Sequence, residues 1–235
     1  MEKDSLCSYL SENNLHFDAK TLGTLKEYML EILKANMHIN LTAIQDENEF
    51  IENHLIDSLE GAKLDEFKDV MNVIDIGTGG GFPGIPLAIE QPDKEFILVD
   101  SVQKKLKVVS SIADKLQIKN IKTIHSRAET LATDYDYREQ FDLCVSRAVA
   151  NLSTLCEYCL PLVKVGGHFF AYKAKQAKQE IINAKKALEL LGGSVKYISK
   201  TQRNQRENCI IVIEKVKETP LKYPRRTGIP AKKPL

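Results

Sequence analysis

"VIDIGTGGGFPGIPLAIEQPD", Val73 to Asp93, carries five glycines, at 77, 79, 80, 81 and 84, between a short apolar run and a helix-like segment. The β-branched residues Val73, Ile74 and Ile76 read as a buried strand ending at Asp75-Ile76, with a helix following from about Phe82. Gly77, Gly79 and Gly81 permit positive φ and a close approach of backbone to ligand. Five glycines in the eight positions 77 to 84 exceed what a turn needs for its geometry alone. The segment therefore reads as a loop that holds a nucleotide-like molecule.

Two kinds of molecule must be separated. Gly79, Gly81 and Gly84 satisfy G-x-G-x-x-G, so a dinucleotide and a nicotinamide-dependent oxidoreductase form one reading. A pyrophosphate, however, is held by the free N–H groups and positive dipole end of the helix that follows. Pro83 and Pro86 fall in that first turn and have no N–H to give. No G-K-[ST] follows, which excludes a P-loop. An adenosine compound without phosphates is expected, and S-adenosylmethionine fits. Asp75 is placed either to face the cationic methionyl end of such a ligand or to order the loop. Asp100, ending the next strand, can accept hydrogen bonds from ribose hydroxyls. Ala128 and Glu129, in "HSRAET" after the third strand, are placed to line an adenine, although Glu129 reads equally well as a solvated helix-start residue.

Working outward, "NVIDI", "EFILVD", "IKTIH", "FDLCVS" and "HFFAYKA" alternate with helical segments such as "SVQKKLKVVSSIADKLQ". That alternation implies βαβ units and a parallel sheet buried on both faces. After "AKQEIINAKKALELLGG" the pattern breaks. "SVKYISKTQ" and "NCIIVIEKV" follow each other without a helix, which predicts a terminal antiparallel hairpin. Upstream, Leu22, Leu25, Tyr28, Met29, Ile32 and Leu33 keep helical spacing, and "ENEFIENHLIDSLEGAKL" reads as a second helix with Gly61 as its stop. The expected organisation is an N-terminal helical region (1–65), an α/β domain (66–216) and a basic, Pro-rich tail (217–235).

The 235 residues include 43% hydrophobic and 28% charged residues, ordinary for one soluble α/β domain with an appendage. The net charge of +1 selects no partner, but from Lys217 to Leu235 six Lys or Arg face one Glu, a local excess of +5. The polar start "MEKDSLCSYLSENN" lacks a signal-peptide pattern, and no apolar run is long enough to span a bilayer. Five scattered cysteines do not form a disulfide framework. A reduced, cytoplasmic protein without membrane contact is expected; its oligomeric state stays open, with a monomer favoured.

Taken together, "VIDIGTGGGFPGIPLAI", "LVDSVQKKLKVV", "RAE", "DLCVSRAVA", "YPRRTGIPAKKPL" and, upstream, "NLTAI" and "NHLIDSL" closely resemble the GidB/RsmG family of bacterial small-subunit ribosomal RNA methyltransferases. The resemblance covers most of the chain. It implies a class I S-adenosylmethionine-dependent methyltransferase fold: a Rossmann-like, mostly parallel seven-stranded sheet plus an N-terminal helical extension. It also implies methyl transfer to N7 of one guanine in 16S rRNA. Carried over by motif, the cofactor contacts are Gly77, Phe82, Ala128, Glu129 and Arg147; Asp75, Gly79 and Asp100 join them from the reading of the loop. The implied partner is 16S rRNA, in the small subunit or in an assembly intermediate.

Guanine N7 has a lone pair and no proton to lose, so alignment with the sulfonium methyl is the enzyme's main task and no general base is required. The position after the fourth strand reads "SRAVAN" in place of the D/N-P-P-Y of exocyclic-amine methyltransferases. Arg147, at the carboxyl edge of that strand, is the residue expected to act by positioning: on guanine O6, on a phosphate or on the methionyl carboxylate. Phe82 would stack on a base or fill the core. Cys144 reads as a small core residue; Cys156 and Cys159 form C-x-x-C on one helix face, with no second pair for a metal, and none is expected. His54 reads as a helical histidine with an internal hydrogen bond, or as an active-site neighbour. Asn36, Asn40 and Thr42 would cap helices or touch the cofactor side. Candidate RNA contacts are Lys173, Lys175 and Lys178 after the fifth strand, Arg203 and Arg206 in the hairpin, and Arg225 and Arg226 in the tail. A non-catalytic RNA- or ribosome-binding module on the same scaffold is the rival from another class.

Overall fold

The computed structural model describes residues 5–174, 176–203 and 206–235, without the side chains of residues 5, 201–203, 206 and 207. Helices α1 (Ser5–Glu12) and α2 (Ala19–Asn36) open the chain. The Asp18 carboxylate caps α2 by accepting from the Thr21 amide at 2.7 Å. The expected apolar face is the buried one, with Leu25, Tyr28, Met29 and Ile32 in the core.

The second helical segment is less regular than its spacing suggests. It comprises α3 (Glu47–Phe50), a π-turn (Ile51–Ile56), α4 (Asp57–Leu59) and a 3₁₀ turn (Glu60–Lys63). Gly61 does not stop it. A Cβ at Gly61 would lie 2.1 Å from the Tyr172 hydroxyl oxygen, so glycine is there for close packing.

Seven strands follow: β1 (Asn72–Ile76), β2 (Glu95–Asp100), β3 (Ile121–His125), β4 (Phe141–Arg147), β5 (Val163–Lys173), β6 (Gly193–Arg203) and β7 (Arg206–Lys215). They form one sheet in the order β3-β2-β1-β4-β5-β7-β6. The first five are parallel, whereas β7 runs antiparallel to β5 and β6, as the unbroken strand pair at the end of the sequence predicts. The crossovers carry α5 (Gly84–Glu90), α6 (Gln103–Lys115), α7 (Ala128–Leu131), α8 (Leu152–Cys159) and α9 (Ala177–Leu191); a single turn, α10 (Ile229–Lys232), lies in the tail. The helix after the glycine loop begins at Gly84 rather than Phe82, with Pro83 at its cap.

Alternate residues of the central strands feed two cores, one on each face. Val73, Leu143, Val145, Phe170 and Val212 join α2, the 47–63 segment, α5 and α6. Ile74, Cys144, Phe169, Ile211 and Ile213 join α8 and α9. The N-terminal helices thus share a core with the sheet, and the tail buries Tyr223 in the second core. Cys144, Cys156 and Cys159 are fully buried free thiols of that second core. Among the described residues, no helix is long and apolar enough to cross a membrane.

Candidate active site

In the strand order, the direction of winding reverses between β1 and β4, and open α/β sheets bind ligands outside the carboxyl ends of the strands at such a point. A cavity of about 430 Å³ lies there. Gly77, Gly79, Phe82, Asp100, Ala128, Glu129 and Arg147 all line it. Asp75 does not. It sits behind the loop, fully buried, and its Oδ2 accepts from the Thr78 hydroxyl (2.8 Å) and the Gly84 amide (2.9 Å). Of its two sequence-level roles, the structure supports ordering of the loop. Its other oxygen has no partner among the described residues, and burial pushes the carboxyl up to about 7, against the opposing pull of the Thr78 and Gly84 hydrogen bonds and of Arg147.

The loop's amides are largely spent inside the protein. Gly77 and Thr78 donate to the Val99 carbonyl, Gly81 and Phe82 to the Thr78 carbonyl, and Ile85 to the Gly81 carbonyl. The Gly79 amide donates to Asp100 Oδ2 at 2.9 Å, while the Val102 amide holds Oδ1. A pyrophosphate would meet few free donors here, and the carboxylate of Asp100 beside them. The prolines of the sequence argument contribute less than this internal pairing. The loop is also tightly packed. Gly77 has φ +74° and a Cβ there would lie 2.3 Å from Val149 Cγ2; Gly81 has φ +95° and would meet the Tyr28 hydroxyl at 2.5 Å.

The opposite wall is made of side chains from distant segments. Arg147 donates through Nη1 to the Asn53 carbonyl (2.8 Å) and Asp57 Oδ2 (3.0 Å), and through Nη2 to His54 Nδ1 (2.7 Å). His54 is stacked on Phe82, with centroids 4.3 Å apart and planes 11° from parallel, and Arg147 lies over the same ring at 5.2 Å. Phe82 therefore fills the core: it is 5% exposed and also packs edge-on to Phe50, so the base-stacking role expected as one option gives way. The Nε2 of His54 lies 2.6 Å from Thr42 Oγ1. Burial, reinforced by the Arg147 charge, lowers the His54 pKa to about 3, so the imidazole is neutral. Asn36 binds the Leu41 and Thr42 amides through Oδ1 and the Thr42 carbonyl through Nδ2, fixing Thr42 in the wall. Tyr28 joins the walls by donating to the Gly80 carbonyl at 2.5 Å.

The third wall is tied to the tail. Glu129 is 5% exposed and its Oε1 accepts from the Gly228 amide at 2.8 Å, so it is not a solvated helix-start residue. Two of the cations expected to meet RNA prove to be engaged internally. Lys173 donates to Glu180 Oε2 (2.7 Å) and the Ala150 carbonyl (2.6 Å). Arg225 forks onto the fully buried Glu157, with Nη2 2.6 Å from Oε2 and Nε 2.9 Å from Oε1. Removing Arg225 would strand a buried carboxylate, and Lys173 is held between Glu180 and the Ala150 carbonyl, so both cations are tied into the fold. Lys178 and Arg226 are exposed. Lys175 and the side chains of Arg203 and Arg206 lie outside the described residues. Sequence reasoning missed two rim cations, Lys105 and Arg127, which line the cavity itself. Their positions just after β2 and just before "AET" are the signal that could have found them.

A family model described as rRNA small subunit methyltransferase G matches residues 21–209. A protein named ribosomal RNA small subunit methyltransferase G from Clostridium tetani is 43% identical over 99% of this chain and 98% of its own. One of the same name from Clostridium novyi is 42% identical over 94% and 92%. Among solved structures, a 16S rRNA (adenine(1408)-N(1))-methyltransferase from Catenulisporales acidiphilia superposes with a TM-score of 0.53 over 64% of this chain and 87% of that one, at 13% identity. A likeness at that identity concerns the fold, which is that of class I methyltransferases.

Proposed function

The chain belongs to the rRNA small subunit methyltransferase G family, and we propose that it transfers a methyl group from S-adenosylmethionine to N7 of a guanine in 16S rRNA. The observation that carries the cofactor reading is the pairing of the glycine-loop amides with Val99, Thr78, Gly81, Asp75 and Asp100. A loop so closed suits an uncharged adenosine with a cationic sulfonium and not a pyrophosphate. Asp100 would take the ribose hydroxyls, Ala128 and Glu129 the adenine side, and Gly77 and Gly79 the backbone contacts. When bound, the cofactor supplies an electrophilic methyl group; the chain's residues supply position.

The acceptor reading rests on the protonation state of His54 and Tyr158, the lining carboxylates Asp100 and Glu129 being assigned to the cofactor. Arginine can only donate, so the lone pair of His54 Nδ1 is given to Arg147 and the proton is on Nε2. Burial raises the pKa of Tyr158, also in the cavity wall, keeping its phenol protonated. A ring nitrogen with its own lone pair needs no deprotonation, whereas an exocyclic amine does. Lys105 and Arg127 at the rim, with the exposed Lys178 and Arg226, supply the charge that would draw in an RNA backbone.

The test uses methyl-labelled S-adenosylmethionine and small ribosomal subunits from cells lacking this enzyme, followed by digestion to nucleosides. Label in 7-methylguanosine at one 16S site is the expected result. Label in another nucleoside overturns the acceptor, and binding without turnover on subunits or naked rRNA favours a non-catalytic module. Binding of a nicotinamide dinucleotide in place of S-adenosylmethionine would overturn the reading of the loop.

A further inference from the structure

Thr42 lines the cavity and belongs to "NLTAI", a stretch whose role the cofactor loop leaves unexplained. Its hydroxyl has one proton to donate and two lone pairs to accept with. Arg147 is donor-only, so at 2.7 Å it fixes His54 Nδ1 as an acceptor and leaves the ring proton on Nε2. That N–H then donates to Thr42 Oγ1 at 2.6 Å. The Ile44 amide donates to the same oxygen at 3.1 Å. Both acceptor positions of the hydroxyl are thus filled. Its hydrogen has no acceptor among the described residues, and Asn36 prevents the backbone from turning away. The chain Arg147–His54–Thr42 ends in a hydroxyl that can only donate.

On the guanine-N7 reading, we propose that Thr42 is a specificity-determining residue whose hydroxyl donates to the exocyclic carbonyl oxygen beside the methylated ring nitrogen, selecting guanine over adenine. The two purines present the same N7 acceptor, but the neighbouring group is a carbonyl in guanine and an amino donor in adenine. A donor-only hydroxyl satisfies the first and faces a second donor in the other. Buried sites that expect a hydrogen bond discriminate through the partner left unpaired. His54 is a positioning residue in this arrangement: neutral and doubly engaged, it sets the sense of the Thr42 hydroxyl without touching the base.

Thr42→Val keeps the shape and removes the hydroxyl; Thr42→Ser keeps the hydroxyl. Small subunits carrying either guanine or adenine at the methylated position serve as paired substrates, with S-adenosylmethionine affinity measured alongside. Thr42→Val is expected to lower kcat/KM on guanine subunits about 10- to 100-fold, the cost of one lost buried hydrogen bond. It should leave adenine subunits no worse, so that the guanine-to-adenine ratio collapses while cofactor affinity stays within about twofold. Thr42→Ser should restore the ratio. An unchanged ratio in Thr42→Val, or an equal loss on both substrates, overturns the proposal and leaves Thr42 a structural residue. Nucleoside analysis of the wild-type product separates this from failure of the underlying reading: label outside 7-methylguanosine removes the acceptor assignment, and the proposal with it.

Discussion

On one side of the cavity, the backbone from Gly77 to Gly84 is fixed by its own amides and by two carboxylates, Asp75 and Asp100. On the other, Thr42, His54 and Arg147 hold one another through side-chain hydrogen bonds, packed on Phe82. The first wall has no room for a side chain at Gly77, Gly81 or Gly84, where a Cβ would fall within 3 Å of a neighbour, and Gly77 and Gly81 also hold positive φ. The second depends on which nitrogen of His54 carries a proton. One wall is specified by shape and the other by hydrogen-bond sense, the division expected if the first holds the proposed cofactor and the second the proposed base.

The comparison breaks most severely where the walls touch. Gly81→Ala would place a Cβ 2.5 Å from the Tyr28 hydroxyl and 2.7 Å from Ile85 Cγ1, at φ +95°. Backbone strain and overpacking together should cost about 3 kcal/mol or more. For a chain of this size that is a fall in Tm of roughly 10 °C, measured by calorimetry, with S-adenosylmethionine binding reduced in parallel. Tyr28→Phe is gentler. It leaves the Gly80 carbonyl without its partner and should cost about 1–2 kcal/mol in denaturant unfolding. If Tyr28→Phe is neutral, the walls are independent and the contrast sharpens.

The smallest effect is the change with pH close to neutrality. His54 has its folded pKa depressed to about 3, so the unfolded chain binds the extra proton between pH 3 and 6.5 and stability rises with pH across that window. The gain should be ~0.7 kcal/mol from pH 6 to pH 7, lost on acidification. Asp75 has its folded pKa raised to about 7, so its contribution runs the other way, greatest at low pH and lost as pH rises from about 4 through 7. One wall therefore offsets the other near neutrality. Subtracting the stability curve of His54→Gln from that of the wild type isolates the imidazole, and the difference should climb from pH 4 to pH 6.5. A flat difference would mean that His54 is solvated and the side-chain wall is not buried as described.

The backbone wall was readable from the sequence because its parts lie close together: Thr78 and Gly84 are three and nine residues from Asp75. The strands and the terminal hairpin were readable for the same reason, since period and turn chemistry are local. Much of the side-chain wall was not, because Arg147 and His54 are 93 residues apart and nothing in either neighbourhood announces the pairing. Charge misled the reading for a related reason. Lys173 and Arg225 look like any other basic residues in a cluster, and only the fold shows that Glu180 and Glu157, the latter 68 residues from Arg225, already occupy them.

The π-turn at Ile51–Ile56 has a consequence for insertion and deletion. A wide turn of this kind amounts to one residue more than a regular helix needs, and such turns recur at functional sites because they redirect side chains. Here the segment brings the Asn53 carbonyl, His54 and Asp57 all onto Arg147. Losing one residue from the turn would restore α-helical pairing and rotate one end against the other by about 100°. Arg147 would then keep the partners from one side of the cut and lose those from the other. The extra residue is a frame-setting insertion, and descendants of this chain can change its identity more freely than they can change its length.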